Sequence, residues 1–215
     1  FCAVLIVTNT WNIVMAVFDI SQSIVSDASG IMVTDATLNF ESLIPDLESR
    51  LEAMELGELF GNISHDLNYA TVYAHANLYH KGDDIQADPT GDKITITMAG
   101  SVPGNIRSAH FDGDGMTLKD TTIVKDGKAV AYYGANRFGQ YLGEKPSGSM
   151  PCVLVEGGSL RDEELDKEDR LEVISMSGLQ VDFYNDYIGG EIRLAYYCDG
   201  ENITPVTGIS ITGSL

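Results

Sequence analysis

The 215-residue chain carries 13 Lys+Arg against 32 Asp+Glu, which gives a formal net charge of −19 at pH 7. A field of this sign repels nucleic-acid phosphates and anionic lipid headgroups, so we expect no direct binding to nucleic acid or to a membrane. Hydrophobic residues make up 44% of the chain and charged residues 21%, which is typical of a folded globular protein. Three scattered cysteines, Cys2, Cys152 and Cys198, cannot form a disulfide framework, and their odd number favours a reducing, cytoplasmic location.

The first half of the chain predicts a β-hairpin followed by helices. Residues 3–8 and 13–20 are apolar runs joined by a polar turn, and neither run is long enough to span a membrane. No Lys or Arg precedes Arg50, so the basic start of a secretory signal is missing from this stretch. From Ser42 onwards, apolar residues recur at three- and four-residue spacing, which predicts an amphipathic helix.

Glycines set the expected ends of two helices. Gly57 and Gly61 predict the end of the helix that begins at Ser42. A second helix is predicted over residues 66–80, with Gly82 as its stop. A short strand over residues 69–73 is the alternative for this segment.

Beyond Gly91 the sequence predicts mostly strands. The pair Asp126-Gly127 between two apolar runs predicts a tight hairpin turn, because such turns need positive φ at their centre. Asp112 to Gly115 resembles the opening of a calcium loop, but Thr117 and Ile123 stand where that loop needs Gly and Glu, so a turn is predicted. Strands are predicted over residues 93–98, 106–111, 121–124, 129–133, 172–176, 179–184, 191–198 and 203–211, helices over 135–142 and 159–169, and turns at 177–178, 189–190 and 199–200.

Helices early and strands late predict an α+β fold, a large and mostly antiparallel β-sheet with a few helices packed against it. No internal repeat is present, so we expect one domain over residues 1–215. Within it, residues 1–90 form the hairpin and two helices, and residues 91–215 form the β-rich core.

Two histidines are the only candidates for site chemistry. The motifs of a nucleophile elbow, a P-loop and a dinucleotide fingerprint are all missing, so no catalytic or cofactor-binding residue is predicted. His75 and His80 are candidate metal ligands, because neutral imidazole is a common ligand of zinc. Five-residue spacing on a regular helix separates two side chains by roughly 140°, so a shared metal would need a break in the helix. The alternative is two histidines that complement the dipole at a helix end.

A series of fragments resembles the core, C-terminal domain of the TldD/PmbA family, whose members are also called modulators of DNA gyrase. The first fragments are Phe111-Asp-Gly-Asp-Gly115, the segment Thr122-Ile-Val-Lys-Asp-Gly127, and Ala131-Tyr-Tyr133. The later ones follow in the family's order over about 125 residues: 135–143, 146–148, 155–164, 178–179, 189–190, 200–201 and 205–213.

The resemblance implies a cytoplasmic assembly of two subunits. The TldD-type subunit carries zinc on an H-E-x-x-x-H motif plus a cysteine near the C-terminal strands, and it cleaves peptides. The PmbA-type partner, also called TldE, lacks the metal motif. In this chain His75 and His80 match the two histidine positions, but Ala76 replaces the general-base glutamate and Cys198 aligns several residues late. The chain is therefore closer to the non-metal PmbA/TldE type.

We accordingly expect a degenerate or non-catalytic subunit of a peptide-processing complex, without a cofactor, which binds a peptide or completes the cleft of a TldD-type partner in a homo- or heterodimer. An exposed strand edge over residues 192–197 could accept the peptide. The first alternative is an active zinc metallopeptidase in which His75, His80 and Cys198 bind the metal and Asp83 or Asp84 replaces the base. The second is a free-standing acidic binding or structural module.

Overall fold

The computed structural model describes residues 48–51, 53–86, 91–159, 170–199 and 202–213. The predicted hairpin over residues 3–8 and 13–20 lies outside them, as does all but the first residue of the helix predicted over 159–169. The described residues form nine strands and three helices: β1 (Glu48–Leu51), α1 (Ala53–Asp66), α2 (Tyr69–Tyr73), β2 (Ile96–Ala99), β3 (Thr121–Lys125), β4 (Lys128–Ala129), α3 (Asn136–Leu142), β5 (Cys152–Val155), β6 (Arg170–Asp182), β7 (Tyr187–Cys198), β8 (Ile203–Val206) and β9 (Ile209–Gly213).

The strands form two sheets. One sheet has the order β1-β6-β7-β8, and β9 also pairs with β7. The other has the order β4-β3-β2-β5. Every pairing is antiparallel except that of β1 with β6, in which Glu48 lies opposite Arg170. The predicted α+β fold with mostly antiparallel sheets is confirmed. In sequence order, the three described helices and the four-stranded sheet lie between β1 and β6, which are neighbours in the larger sheet.

Helix α1 supplies the centre of the core. Phe60 and Ile63 of α1 and Leu67, the residue just beyond its end, recur at helical spacing. They pack in one buried cluster with residues of the four-stranded sheet, among them Ile96 and Ile123. A helical stripe of this kind buries apolar area worth roughly 1.5–3 kcal/mol for each large side chain. In a separate cluster, Leu59 contacts Leu179 of β6 and Ile188 of β7. The helix therefore joins the two sheets. Among the described residues, no helix has the length and apolar character needed to cross a bilayer.

Two of the predicted helices have the wrong bounds. The helix predicted from Ser42 is a strand over Glu48–Leu51, and α1 begins at Ala53 and continues through Gly57 and Gly61. Burial of the α1 stripe outweighs the helix propensity that these glycines lack, about 1 kcal/mol each. The helix predicted over residues 66–80 is reduced to α2, and the alternative of a strand over residues 69–73 is wrong.

The β-rich part follows the predictions where the local signal is strong. Asp126 and Gly127, with φ of 49° and 77°, form the predicted hairpin turn between β3 and β4. Helix α3 is also present, and the turn at Asp112 is confirmed because its Oδ1 accepts the N–H groups of Asp114 and Met116. The strand predicted over residues 106–111 is wrong, since only a bridge from Phe111 to Thr117 forms there.

The long hairpin of β6 and β7 differs from the prediction. The two strands predicted over 172–176 and 179–184 are one strand, and Ser177 and Gly178 lie at an irregularity in its register, not at a turn. The turn predicted at Gly189-Gly190 is wrong, because both glycines lie within β7. A Cβ at Gly190 would lie 3.1 Å from Cα of Leu179, so this glycine permits close approach of the backbones at the irregularity.

Three further strand predictions are corrected by the pairing. The segment predicted over 203–211 is divided into β8 and β9, and the strand predicted over 129–133 ends at Ala129. Strand β5 was not predicted. The open edge predicted over residues 192–197 is wrong, because β7 pairs with β6 on one side and with β8 and β9 on the other.

Candidate functional site

His75 and His80 lie in the loop that follows α2. The C-cap of α2 is Ala74, and His75 has a φ of 54°, in the left-handed region that β-carbon-bearing residues rarely adopt. Helix α2 thus ends before both histidines, so the side-chain angle of a regular helix does not keep them apart. Both imidazoles are exposed.

Asp66 at the end of α1 orders this loop. Its Oδ1 accepts the N–H of Leu78 at 2.8 Å, and its Oδ2 accepts the N–H of Tyr79 at 3.0 Å. The side chain is buried, so two charge-assisted bonds replace its contacts with water. The pKa of Tyr79 is raised by burial of its ring and then by the negative charges of Asp66 and Asp186.

The two carboxylates considered as replacement bases differ in their surroundings. Asp83 accepts the backbone N–H of His80 at 2.8 Å, and the same carboxylate lies 3.7 Å from Nδ1 of that imidazole. Asp84 instead forms an ion pair with Lys128, 2.7 Å from its Nζ. Of the two, the structure places only Asp83 beside a candidate metal ligand.

Cys198 lies far from the two histidines along the β6–β7 hairpin. It is the last residue of β7, it pairs with Arg170 at the start of β6, and its buried Sγ is 3.9 Å from Oε2 of Glu172. The histidine loop contacts the opposite end of the hairpin, where the Tyr184 hydroxyl donates a hydrogen bond to the carbonyl oxygen of Ala76. A strand of twelve residues is roughly 36–40 Å long. The structure therefore does not bring Cys198 to the histidine loop.

A catalytic zinc site uses three protein ligands and one open position. Within the described part of the chain, no three or more His, Cys, Asp and Glu side chains form a group that could hold a metal ion. The described residues thus do not fit a three-ligand zinc site. Zinc bound by His75 and His80 stays a prediction.

Strand β5 lies at one edge of the four-stranded sheet, and among the described residues no strand pairs with its outer side. Its pairing with β2 places Leu154 opposite Thr97, and the next bond along this ladder joins the N–H of Glu156 to the carbonyl of Thr95. Because such bonds alternate along an antiparallel pair, the N–H and C=O groups of Val153 and Val155 point away from β2. The side chain of Val153 is also 37% exposed. A second extended chain could pair with these groups.

Sequence reasoning missed Asp66, Tyr184 and strand β5. Asp66 bonds to loop residues that lie 12 and 13 positions after it in the sequence, and Tyr184 bonds to one that lies 108 positions before it. No local sequence pattern therefore marks either residue. The run Val153-Leu-Val155 has strand-forming residues, and its apolar, β-branched composition was the available signal.

The sequence model of a protein family, described as PmbA/TldA metallopeptidase C-terminal domain, matches residues 50–215 of the chain. A second model, described as TrbL/VirB6 plasmid conjugal transfer like protein, matches residues 1–75. No curated protein matches the chain.

Three solved structures share the fold. A protein from Bacteroides thetaiotaomicron named as a modulator of DNA gyrase is 17% identical, with a TM-score of 0.61 over 77% of this chain and 38% of its own. A protein from Thermotoga maritima with the same name is 16% identical, with a TM-score of 0.57 over 69% of this chain and 37% of its own. TldE from Thermococcus kodakarensis is 14% identical, with a TM-score of 0.55 over the same shares. The chain spans under two fifths of the length of each of these proteins.

Proposed function

Because this chain belongs to the PmbA/TldD family of metallopeptidase-like proteins, we propose that it is a non-catalytic, peptide-binding subunit of a peptide-processing complex. Its partner in this proposal is a TldD-type subunit that carries the zinc, and the complex acts in the cytoplasm. The family membership and the similarity to a TldE structure support this proposal.

The observation that carries the proposal is the composition of the histidine loop. Ala76 occupies the position beside His75 where the zinc-bearing subunits have the general-base glutamate. Without a general base to accept its proton, an attacking water molecule hydrolyses a peptide bond roughly 10²- to 10⁴-fold more slowly. Asp83 faces His80 from the other end of the loop, where it is held by the backbone N–H of that residue. Cys198 lies at the far end of the β6–β7 hairpin.

The open edge of β5 is the element that we assign to peptide binding. An extended peptide that pairs with Val153 and Val155 would bind through its own backbone groups, so recognition would depend little on its side chains. Such binding suits a subunit that presents unstructured peptides to a partner's active site.

Metal analysis and peptide binding together test the proposal. We expect less than stoichiometric zinc in the purified protein, no chelator-sensitive cleavage of an unstructured peptide, and binding of that peptide with slowed amide exchange at Val153 and Val155. A matched peptide with N-methyl groups on alternate residues lacks the backbone donors and should bind at least about tenfold more weakly. Equal binding of the two peptides would contradict the assignment to β5.

The placement of His75 and His80 in one loop beyond the end of α2 favours one competing function, an active zinc metallopeptidase. Stoichiometric zinc that is lost in His75→Ala, together with chelator-sensitive cleavage, would establish this alternative and overturn the non-catalytic proposal. A free-standing module is distinguished by its partners, because size-exclusion chromatography and pull-down from native lysate would then reveal no second family subunit.

A further inference from the structure

Three aromatic rings form a patch where α2 meets α3. Tyr73 is the last residue of α2, and its ring centroid lies 5.6 Å from that of Phe138 and 5.3 Å from that of Tyr141 on α3. The rings of Phe138 and Tyr141 are 6.3 Å apart and nearly perpendicular. Tyr73 is 47% exposed and Tyr141 is 56% exposed. The patch therefore presents ring surface to solvent. We call it the α2–α3 patch.

Arg137 lies over the same rings. Its guanidinium carbon is 5.7 Å from the Phe138 centroid and 5.8 Å from the Tyr141 centroid, and its Nε donates to the Tyr141 hydroxyl at 3.4 Å. In the described part of the chain no carboxylate lies within 4 Å of this guanidinium, and the negative charge of Asp114 acts on it only from a greater distance. The hydrogen bond uses Nε alone, so the two terminal nitrogens can still bind a carboxylate in the bidentate manner of arginine.

Packing beneath the α2–α3 patch holds it rigid. Gly139 lies against the buried ring of Tyr69, so closely that a Cβ there would come within 3.0 Å of a ring carbon. The Tyr69 hydroxyl in turn donates to the carbonyl of Lys145 at 2.8 Å. Rigid surfaces bind with less loss of conformational entropy than mobile ones.

We propose that the α2–α3 patch docks a partner protein through an acidic side chain that adjoins apolar or aromatic residues in the partner. Tyr and Arg are, with Trp, the residue types most enriched among the residues that carry binding energy at protein interfaces. The partner's carboxylate would pair with Arg137, the one charged residue of α3, and its apolar neighbours would cover Tyr73 and Tyr141.

Charge selects this occupant over a second copy of the chain. A two-fold contact through the α2–α3 patch would bring two Arg137 side chains together between chains that each carry a net charge of −19. An acidic partner also meets repulsion from the chain as a whole, but salt screens it beyond roughly 8 Å, whereas contact with Arg137 is direct. The proposal is independent of the β5 edge and of the proposed function.

Three fluorescein-labelled peptides test the proposal by anisotropy at fixed physiological salt. The first has nine residues with two glutamates around a Leu-Phe pair, the second has lysines for the glutamates, and the third has serines for Leu-Phe. We expect the first to bind at least about tenfold more tightly than either of the others. Equal affinities, or no binding of the first peptide at about millimolar concentration, would overturn the proposal.

Substitutions identify the surface that binds. Arg137→Gln and Tyr141→Ala should each weaken binding of the first peptide about tenfold, whereas Arg107→Gln, the same charge change on an exposed loop, should leave it unchanged. Arg137→Lys keeps the charge but loses the bidentate geometry, so its affinity should lie between those of Arg137→Gln and the unsubstituted protein. Thermal melts confirm that each variant is folded. Equal losses in Arg107→Gln and Arg137→Gln would show general electrostatic attraction and would overturn the proposal.

Discussion

The hydroxyl of Tyr184 donates a hydrogen bond to the backbone carbonyl of Ala76, which precedes it by 108 residues. Tyr184 lies in the turn between β6 and β7, and Ala76 lies between the two histidines. The neighbouring ring of Phe183 contacts Tyr79 edge to face, with centroids 6.1 Å apart. The turn of the larger sheet thus holds the histidine loop in place.

Tyr184→Phe should loosen the histidine loop with little effect on global stability. The substitution removes one exposed hydrogen bond, which contributes at most about 1 kcal/mol. We expect amide exchange over residues 75–79 to accelerate several-fold while the melting temperature changes little. Tyr187→Phe, at an exposed tyrosine of the same hairpin, is the control and should leave exchange unchanged.

Asp66→Ala should destabilise the whole domain. The substitution leaves the N–H groups of Leu78 and Tyr79 without their buried acceptor, which costs roughly 2–4 kcal/mol. Asp66→Asn keeps one acceptor oxygen and should cost less. Urea unfolding measures both, and equal stability of Asp66→Ala and the unsubstituted protein would show that water replaces the carboxylate.

The same change of glycine to alanine should have opposite effects at two positions. At Gly190 the new Cβ would lie 3.1 Å from Cα and 3.3 Å from N of Leu179, so Gly190→Ala should destabilise by roughly 1–3 kcal/mol. At Gly57, inside α1, no atom lies within 4 Å of the new Cβ. Gly57→Ala should therefore stabilise by about 0.5–1 kcal/mol. Thermal unfolding distinguishes the stabilising substitution from the destabilising one. Unchanged stability of Gly190→Ala would mean that the backbone of β6 moves away from the new Cβ without cost.

Stability should fall in alkaline solution. Burial raises the pKa of Tyr133 above the ordinary value of 10.0, and burial is also the main reason that the pKa of Tyr69 is raised. The unfolded chain then loses tyrosine protons first and binds fewer protons than the folded chain. Stability is thus complete below about pH 10 and falls as the pH rises above it. Urea unfolding from pH 8 to pH 11 measures the slope, and Tyr133→Phe should reduce it; an unchanged slope in that variant would contradict the assignment.

Local signals in the sequence predict some elements well. The β3–β4 hairpin follows from Asp126-Gly127, because tight hairpin turns need positive φ at their centre. The short helix predicted over residues 135–142 is α3. Strand β1 could not be predicted, because Glu48 to Leu51 continues a helical pattern and its partner β6 is distant in sequence. Tertiary pairing overrides propensity there.

The candidate site was predictable only in part. The pair His75 and His80 was predicted from the sequence, but the end of α2 before both of them and the left-handed φ of His75 were not anticipated by any sequence rule. The distance of Cys198 from them depends on β6 and β7 being two long strands. The prediction divided β6 at Ser177-Gly178 and placed a turn at Gly189-Gly190, so it concealed the length of this hairpin.

The parallel pairing of β1 with β6 also constrains how the chain assembles during synthesis. Strand β1 leaves the ribosome roughly 120 residues before the strand that it joins, so forming this pair closes a long loop late. Helix α1, β2, β3 and β5 can complete their own cluster in the interval. Once residue 159 has left the ribosome, all the buried residues of this small core are present, but Phe183 is not yet there to pack against it and β1 still lacks β6. The unpaired edge of β1 is exposed to wrong pairing during this interval.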